Sequence, residues 1–287
     1  MKRVVLAISL CLLSAFLPAL TFADTPPGLS ISPVTSRLSI DTGASKGGVI
    51  TVGNITKSEI TVQLSVKQFN VTPESYNYEF LPPEHNWIKF DQASVVLKPG
   101  ENKRILYEVD VPKGTSPGGN YFSIIASTQI AGSAAVSSTI QASSLLYLTV
   151  NGNLIRTSML RNSSVPLFVT GPQIPYKFDV EDTGNVYFTA NFFGQLQSIF
   201  GAFPDNTSTH LLMPGAPRTI AGTVASPTWP GIYRMTYGYK VDFANIIISE
   251  SAYVVYIPPW SFVALVLIGL VVIYGWQQRS SWNKKDT

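Results

Sequence analysis

The sequence predicts an all-β chain, built as two tandem Ig-like β-sandwiches followed by a single C-terminal transmembrane α-helix. Three observations carry this. Alternating apolar and polar runs fill residues 24 to 257, and Gly, Pro, Asn and Asp interrupt them every eight to twelve residues. That is the spacing of a sandwich or barrel. One stretch, LKPGENKRILYEVDVP at 97–112, returns as LMPGAPRTIAGTVASP at 212–227. An apolar run without charge, PPWSFVALVLIGLVVIYGW at 258–276, follows the last alternating segment.

The strands are read from their period. ITVQLSVKQF (60–69) and RILYEVDV (104–111) alternate, with Ile105, Tyr107, Val109 and Val111 on one face. VYFTANFF (186–193), IYRMTYGYKVDF (232–243) and IIISESAYVVYI (246–257) are β-branched and aromatic, the composition that suits a pleated, half-buried surface. No helical period of useful length precedes the terminal apolar run.

The repeat is a frame and not a site. In each copy Pro presets φ for a turn, Gly accepts positive φ, and the alternating residues then form a strand. The closing Pro ends that strand because it has no N–H for a ladder. Each copy is followed by Pro-Gly and an aromatic, Tyr121 or Tyr233. GNITKSEITVQL in the first half has its counterpart in EDTGNVYFTANF in the second. The first half alone carries an insertion, TPESYNYEFLPPEHNW, at 72–87.

The two ends read as targeting and anchoring. Lys2 and Arg3 precede an apolar stretch that ends at Thr21-Phe22-Ala23, a signal peptide cleaved after Ala23. The run at 258–276 is long enough to cross a bilayer, and Trp260 and Trp276 stand where interfacial aromatics belong. Arg279, Lys284 and Lys285 follow it, which places the tail in the cytoplasm by the positive-inside rule. The expected division is a signal peptide at 1–23, a first sandwich at 24–152, a second at 153–257, a membrane span at 258–276 and a basic tail at 277–287. The expected location is the cell membrane, single-pass, with the sandwiches outside.

Composition narrows the function. Lys2, Arg3 and a net two positive charges after the span leave about −1 of the formal +3 for the exported part. A near-neutral surface lacks the field that binds nucleic acid. The only cysteine, Cys11, lies in the signal peptide. A disulfide-free exported chain of this size points to a prokaryotic envelope protein. His85 and His210 lie far apart, with no ligand at metal spacing. No GxSxG, phosphate-binding loop or Cys nucleophile occurs, so neither an enzyme, a cofactor nor a metal is expected.

Two features suit binding. The insertion presents Tyr76, Tyr78, Phe80 and Trp87, and loop aromatics stack on sugar rings or anchor a partner. The alternative is a hairpin capping the first sandwich, and Trp87 itself reads as core. The second feature is the absence of charge from Gly114 to Ile155. Buried central strands explain it; so does a neutral face open to strand addition.

LSISPVTSRLSID, GGVITVGNITKSEITVQLSV and VVLKPGENKRILYEVDVPKGTSPGGNYFSIIA resemble the first domain of the WxL-interacting proteins of Gram-positive cell surfaces. The resemblance implies a peptidoglycan-associated first domain and a second domain that holds a secreted WxL protein. It implies no catalytic residues. The expectation is a membrane-anchored envelope scaffold whose partners are cell-wall glycan, a secreted surface protein, or both. The alternative is a structural or assembly factor, such as a strand-pairing chaperone or spacer.

Overall fold

The computed structural model describes residues 28–131, 137–198, 201–202, 206–241, 243 and 246–282. The expected signal peptide, with Cys11, lies outside these residues, as do Lys284, Lys285 and the side chain of Arg279. The described residues are mostly strand, with one apolar helix at their C-terminal end.

In the first half, β1 (Leu29–Ser32), β2 (Thr35–Ile40), β3 (Ser45–Asn54), β4 (Ile60–Val71), β5 (Tyr78–Leu81), β6 (Ile88–Phe90), β7 (Ser94–Leu97), β8 (Asn102–Asp110), β9 (Gly118–Ala131) and β10 (Ser137–Val150) form two sheets. One is ordered β1-β3-β8-β6 and the other β2-β10-β9-β4-β5, with β7 also on β4. This is an immunoglobulin-type order, in which the first strand leaves one sheet and joins the other. Alternation produces the packing. Ile60, Val62 and Leu64 of β4 and Ile105, Tyr107 and Val109 of β8 turn inward, while their neighbours face out. They meet Ile50, Val52, Leu97, Ile124, Leu146 and Leu148 in one core. Each such fully buried side chain is worth about 1.5–3 kcal/mol.

The second half repeats the plan. β11 (Ser158–Ser164), β12 (Phe168–Val169), β13 (Gln173–Asp182), β14 (Phe188–Ser198), β15 (Gly201–Ala202), β16 (Asn206–Leu212), β17 (Pro217–Ala225), β18 (Gly231–Val241) and β19 (Ile246–Tyr256) are ordered β11-β13-β17 and β12-β19-β18-β14-β15, with β16 also on β14. A separate core gathers Ile174, Phe178, Val180, Phe192, Leu196, Met235, Tyr239 and Val254. β10 ends at Val150 and β11 begins at Ser158.

The repeated stretch occupies equivalent places. Gly100 and Gly215 both have positive φ, 75° and 86°, in the turns that lead into β8 and β17. Tyr121 and Tyr233, near the starts of β9 and β18, are both buried.

After β19 only Ile257 and Pro258 precede α1 (Pro259–Trp282). Its window Pro259–Trp276 has a mean hydropathy of 2.0 and is long and apolar enough to cross a membrane. Trp260 and Trp276 are exposed near the two ends of that window.

Candidate functional site

Two places attract attention: the junction between the halves, and one edge of the sheet that contains β10.

The junction is built from side chains on the outer face of that sheet. In β4 the apolar positions change parity: Ile60, Val62 and Leu64 face the core, but Phe69 and Val71 face the other way. Tyr121 of β9 and Tyr147 of β10 lie on the same outer side and join them, with Met213 and Ala216 of the second half. Phe69 lies edge-on to Tyr78 at 5.3 Å and to Tyr147 at 5.4 Å between ring centres. Tyr187, from just before β14, lies 5.1 Å from Tyr147 and 6.0 Å from Tyr121. Its backbone N–H donates to the Tyr121 hydroxyl at 3.1 Å. Burial pushes the Tyr76 phenol up to about 12, and drives the Tyr121 and Tyr147 phenols upward as well. All three therefore stay protonated and act as hydrogen-bonding aromatics.

The insertion belongs to this junction. The Glu74 N–H donates to the Pro217 carbonyl at 2.9 Å, and Met213 N–H donates to the Tyr76 hydroxyl. The Arg218 guanidinium sits 4.5 Å above the Tyr76 ring, a cation–π contact between halves. The Tyr78 and Tyr147 hydroxyls are 3.1 Å apart. Phe80 is partly exposed and lies against Phe69 at 6.3 Å. Trp87 is set in the first core, with His85 stacked on it at 4.9 Å. The four candidate aromatics thus do not share one exposed face. Tyr76 faces the junction and Trp87 the core, while Tyr78, 46 % exposed, and Phe80, 38 % exposed, stand on one face of β5 against Phe69 and remain at the surface. Asn185 adds a polar clasp: its Nδ2 donates to the carbonyls of Pro117 and Asn153, and its Oδ1 accepts from Ile155 N–H at 2.7 Å.

Asp182, beside this junction, is the one buried carboxylate among the described residues, at 3 % exposure. Its Oδ1 accepts the Gly184 N–H at 2.8 Å, while its Oδ2 has no partner among the described residues. Asn54 is its counterpart in the first half. There the side-chain amide donates to the Ser58 and Leu97 carbonyls, and its Oδ1 accepts from Thr56. A carboxylate cannot donate, so burial raises the Asp182 carboxyl to about 7, against smaller opposing effects of the Gly184 N–H and Arg156. The folded chain holds this proton where the unfolded chain, near 3.8, has released it. The resulting stability is complete below the unfolded value and is lost as pH rises through about 7. Asp182→Asn is expected to restore a donor and add about 1–3 kcal/mol at pH 8, with little gain at pH 4. Urea unfolding of the full chain in detergent at the two pH values checks this.

The second place is the open edge of β10. This strand is fourteen residues long, and β9 pairs with it along its whole length. On the other side β2 covers only Leu145 to Val150. The Leu145 N–H donates to the Val34 carbonyl and the Asn151 N–H to the Ile40 carbonyl, so odd-numbered residues point their main-chain groups to this side. The N–H and C=O of Thr139, Gln141 and Ser143 therefore face outward, and no described strand pairs with them. Ile140 and Ala142 turn to the first core but are only partly covered. A shallow polar trough of about 480 Å³ lies across the neighbouring β4 and β9, away from this edge, lined by Glu59, Thr61, Gln63, Ser127, Gln129 and, from β10, Thr139 among others. The open stretch of β10 carries no charge.

β19 is built the same way, with β12 covering only Val255 and Tyr256. Its open stretch differs in carrying Glu250, whose carboxylate accepts from the Ser163 hydroxyl at 2.7 Å. A charge on an open strand is a common guard against pairing. β10 has none. Among the described residues no three His, Cys, Asp or Glu side chains are grouped to hold a metal ion.

No family model matches the chain, and no curated protein matches it in sequence. Among solved structures it is similar to the class 5 fimbrial chaperone CfaA, at 13 % identity and a TM-score of 0.43, over 80 % of this chain and 100 % of that one. It is also similar to a CsuC–CsuE chaperone–tip subunit complex of Acinetobacter baumannii, at 13 % identity and a TM-score of 0.39, over 67 % and 89 %. A third is the E. coli chaperone DraB, at 13 % identity and a TM-score of 0.34, over 79 % and 97 %. With every TM-score below 0.5, no role is transferred from these proteins. They do correct the expected kinship: these three neighbours are chaperones, of fimbriae or pili in the first two, and not WxL-interacting proteins. These neighbours support neither a peptidoglycan-binding first domain, nor a cell-wall glycan partner, nor an anchoring role at the cell surface. The physical reason is plain. The quoted stretches are turn-and-strand frames, which unrelated sandwiches share.

Proposed function

We propose that this chain is a membrane-tethered assembly factor that holds an exported partner protein by adding a strand of that partner to the open half of β10. The single observation that supports it is the mismatch in length between β10 and its cover β2. Eight residues before Leu145 lack a strand on that side among those described. An edge of this kind offers main-chain hydrogen bonds to any extended segment, and alternate side chains then set specificity. The uncharged surface and the half-covered Ile140 and Ala142 favour an apolar, β-prone partner segment.

In this reading residues 24–152 and 153–257 form two tandem Ig-like sandwiches, and α1 tethers them with the sandwiches on the exported side. The aromatic junction fixes the two halves relative to each other, so the open edge is presented at a set distance from the membrane. The chain acts by binding and carries out no catalysis.

Site-specific photo-crosslinking in cells tests the proposal. A photoreactive residue at Thr139 is expected to give a discrete adduct with an exported protein. The same residue at Thr149, on the stretch covered by β2, is expected to give none. Equal adducts at both positions, or none at Thr139, would overturn strand addition at this edge.

A further inference from the structure

We infer that the end of the second half nearest α1 is an apolar foot seated in the lipid interface of the membrane that α1 crosses. Three uncharged segments converge there: VPLFVTGP at 165–172, SPTWPGIY at 226–233 and YVVYIPPWSF at 253–262. Pairing puts them at one level. Phe168 and Ile232 both stand opposite Val255, and the Val255 N–H donates to the Leu167 carbonyl at 2.7 Å. The Tyr233 hydroxyl donates to the Trp229 carbonyl at 2.8 Å and holds the intervening loop. The large side chains at this level point to solvent: Leu167 is 56 % exposed, Phe168 65 %, Trp229 68 % and Ile232 70 %.

Single exposed apolar residues are ordinary, but four gathered at one end are not. What covers them follows from their place in the chain. Val255 is four residues before α1, about 13 Å away at the rise of a strand. Trp260, in the first turn of α1, packs edge-on against Trp229 at 5.7 Å. A tryptophan at the start of a membrane span sits among the headgroups, and its ring partner must then lie at the same depth. The first charged side chain along β18, Arg234, stands one step further out, opposite Tyr253. Apolar side chains next to the helix with charge above them match the polarity profile of a bilayer surface. The foot and the helix together hold the sandwiches in one pose on the membrane instead of leaving them to swing on a linker.

This rests on the reading of α1 as a membrane span, and the test separates the two. Single cysteines at Leu267, Phe168 and Ile247, in the full chain with Cys11→Ser, carry nitroxide labels in phosphatidylcholine vesicles. Collision with oxygen and with a water-soluble nickel chelate reports depth. Leu267 lies within α1, and Ile247 lies at the other end of β19, exposed. The expected oxygen-to-nickel ratio at Phe168 is several-fold above that at Ile247 and below that at Leu267. A lipid-like Leu267 with Phe168 equal to Ile247 removes the foot alone. An aqueous Leu267 removes the span and the foot together. Phe168 shielded from both reagents means a protein surface covers the patch, which also overturns the inference. Trp229→Phe gives a second readout: it should remove fluorescence that headgroup-proximal brominated lipid quenches. Unquenched, water-like emission from Trp229 would contradict the foot.

Discussion

Gln141→Pro is expected to weaken partner capture by about tenfold to a hundredfold while leaving the fold intact. The Gln141 N–H points away from β9, so proline removes no hydrogen bond of the folded chain. Proline is tolerated on an edge strand when its missing N–H faces solvent, and its neighbour Ile140 is already extended, as a residue before proline must be. An added strand would lose one main-chain hydrogen bond and leave a carbonyl unpaired. Such a loss costs about 1–3 kcal/mol, and each 1.4 kcal/mol is about a factor of ten. Ala142→Pro provides the contrast. Its N–H points to β9, so it should lower stability by about 3 kcal/mol or more and not act on the partner alone. Yields of the Thr139 adduct in the two backgrounds, beside urea unfolding of each variant, check both statements. Unchanged capture in a folded Gln141→Pro chain would contradict the proposed edge.

Phe69→Ala is expected to cost about 3–5 kcal/mol, the range for truncating a buried aromatic, and to loosen the two halves from each other. Phe69 is fully buried and contacts four other rings: Tyr78, Phe80, Tyr121 and Tyr147. Two of these, Tyr121 and Tyr147, carry the contact to Tyr187 of the second half. Removing the central ring leaves a cavity at the junction, not in either core. The loss should therefore appear as decoupling as well as instability. The unfolding transition is expected to broaden or split, and the distance distribution between labels on the two halves to widen. Val96→Ala, on an exposed position of β7, should stay within about 0.5 kcal/mol of the parent. A single sharp transition and an unchanged distance in Phe69→Ala would show that the cluster does not join the halves.

Much of the strand plan was legible in the sequence because each face of a strand has a period of two. RILYEVDV and ITVQLSVKQF carry that period, and they form β8 and β4. The repeated Pro-Gly turns were legible because positive φ needs glycine, as Gly100 and Gly215 show. The junction was not. Its signal lies in parity: VKQFNV loses the alternation of ITVQLSV, and Phe69 moves to the outer face. Tyr121 and Tyr147 are on the outer side of their strands in the same way. From sequence alone, an outward aromatic fits a ligand, a partner or a neighbouring half equally well. A loop aromatic such as Tyr76 therefore reads as a binding residue, and only its contacts with Met213 and Arg218 place it at the junction.

The open edge was half legible. Absence of charge from Gly114 to Ile155 marked the right segment. It did not tell a buried strand from an exposed one, because both dispense with charge. What decides is the length of β2, which pairs only with Leu145 to Val150, and no local pattern within β10 encodes the length of its neighbour. The misjudged kinship has a related cause. Turn-and-strand frames are a solution to sandwich geometry, and resemblance confined to them follows architecture and not descent.

Amide hydrogen exchange of the chain, alone and in complex with the partner captured at Thr139, tests the central claim most directly. If a partner strand adds to β10, the amides of Thr139, Gln141 and Ser143 will exchange fast in the free chain. They will slow by at least about a hundredfold in the complex, as amides do when they enter a ladder. Those of Ile140 and Ala142, already bonded to β9, will change little. Complex formation with no added protection at the three outward amides would contradict strand addition and with it the proposed mode of action.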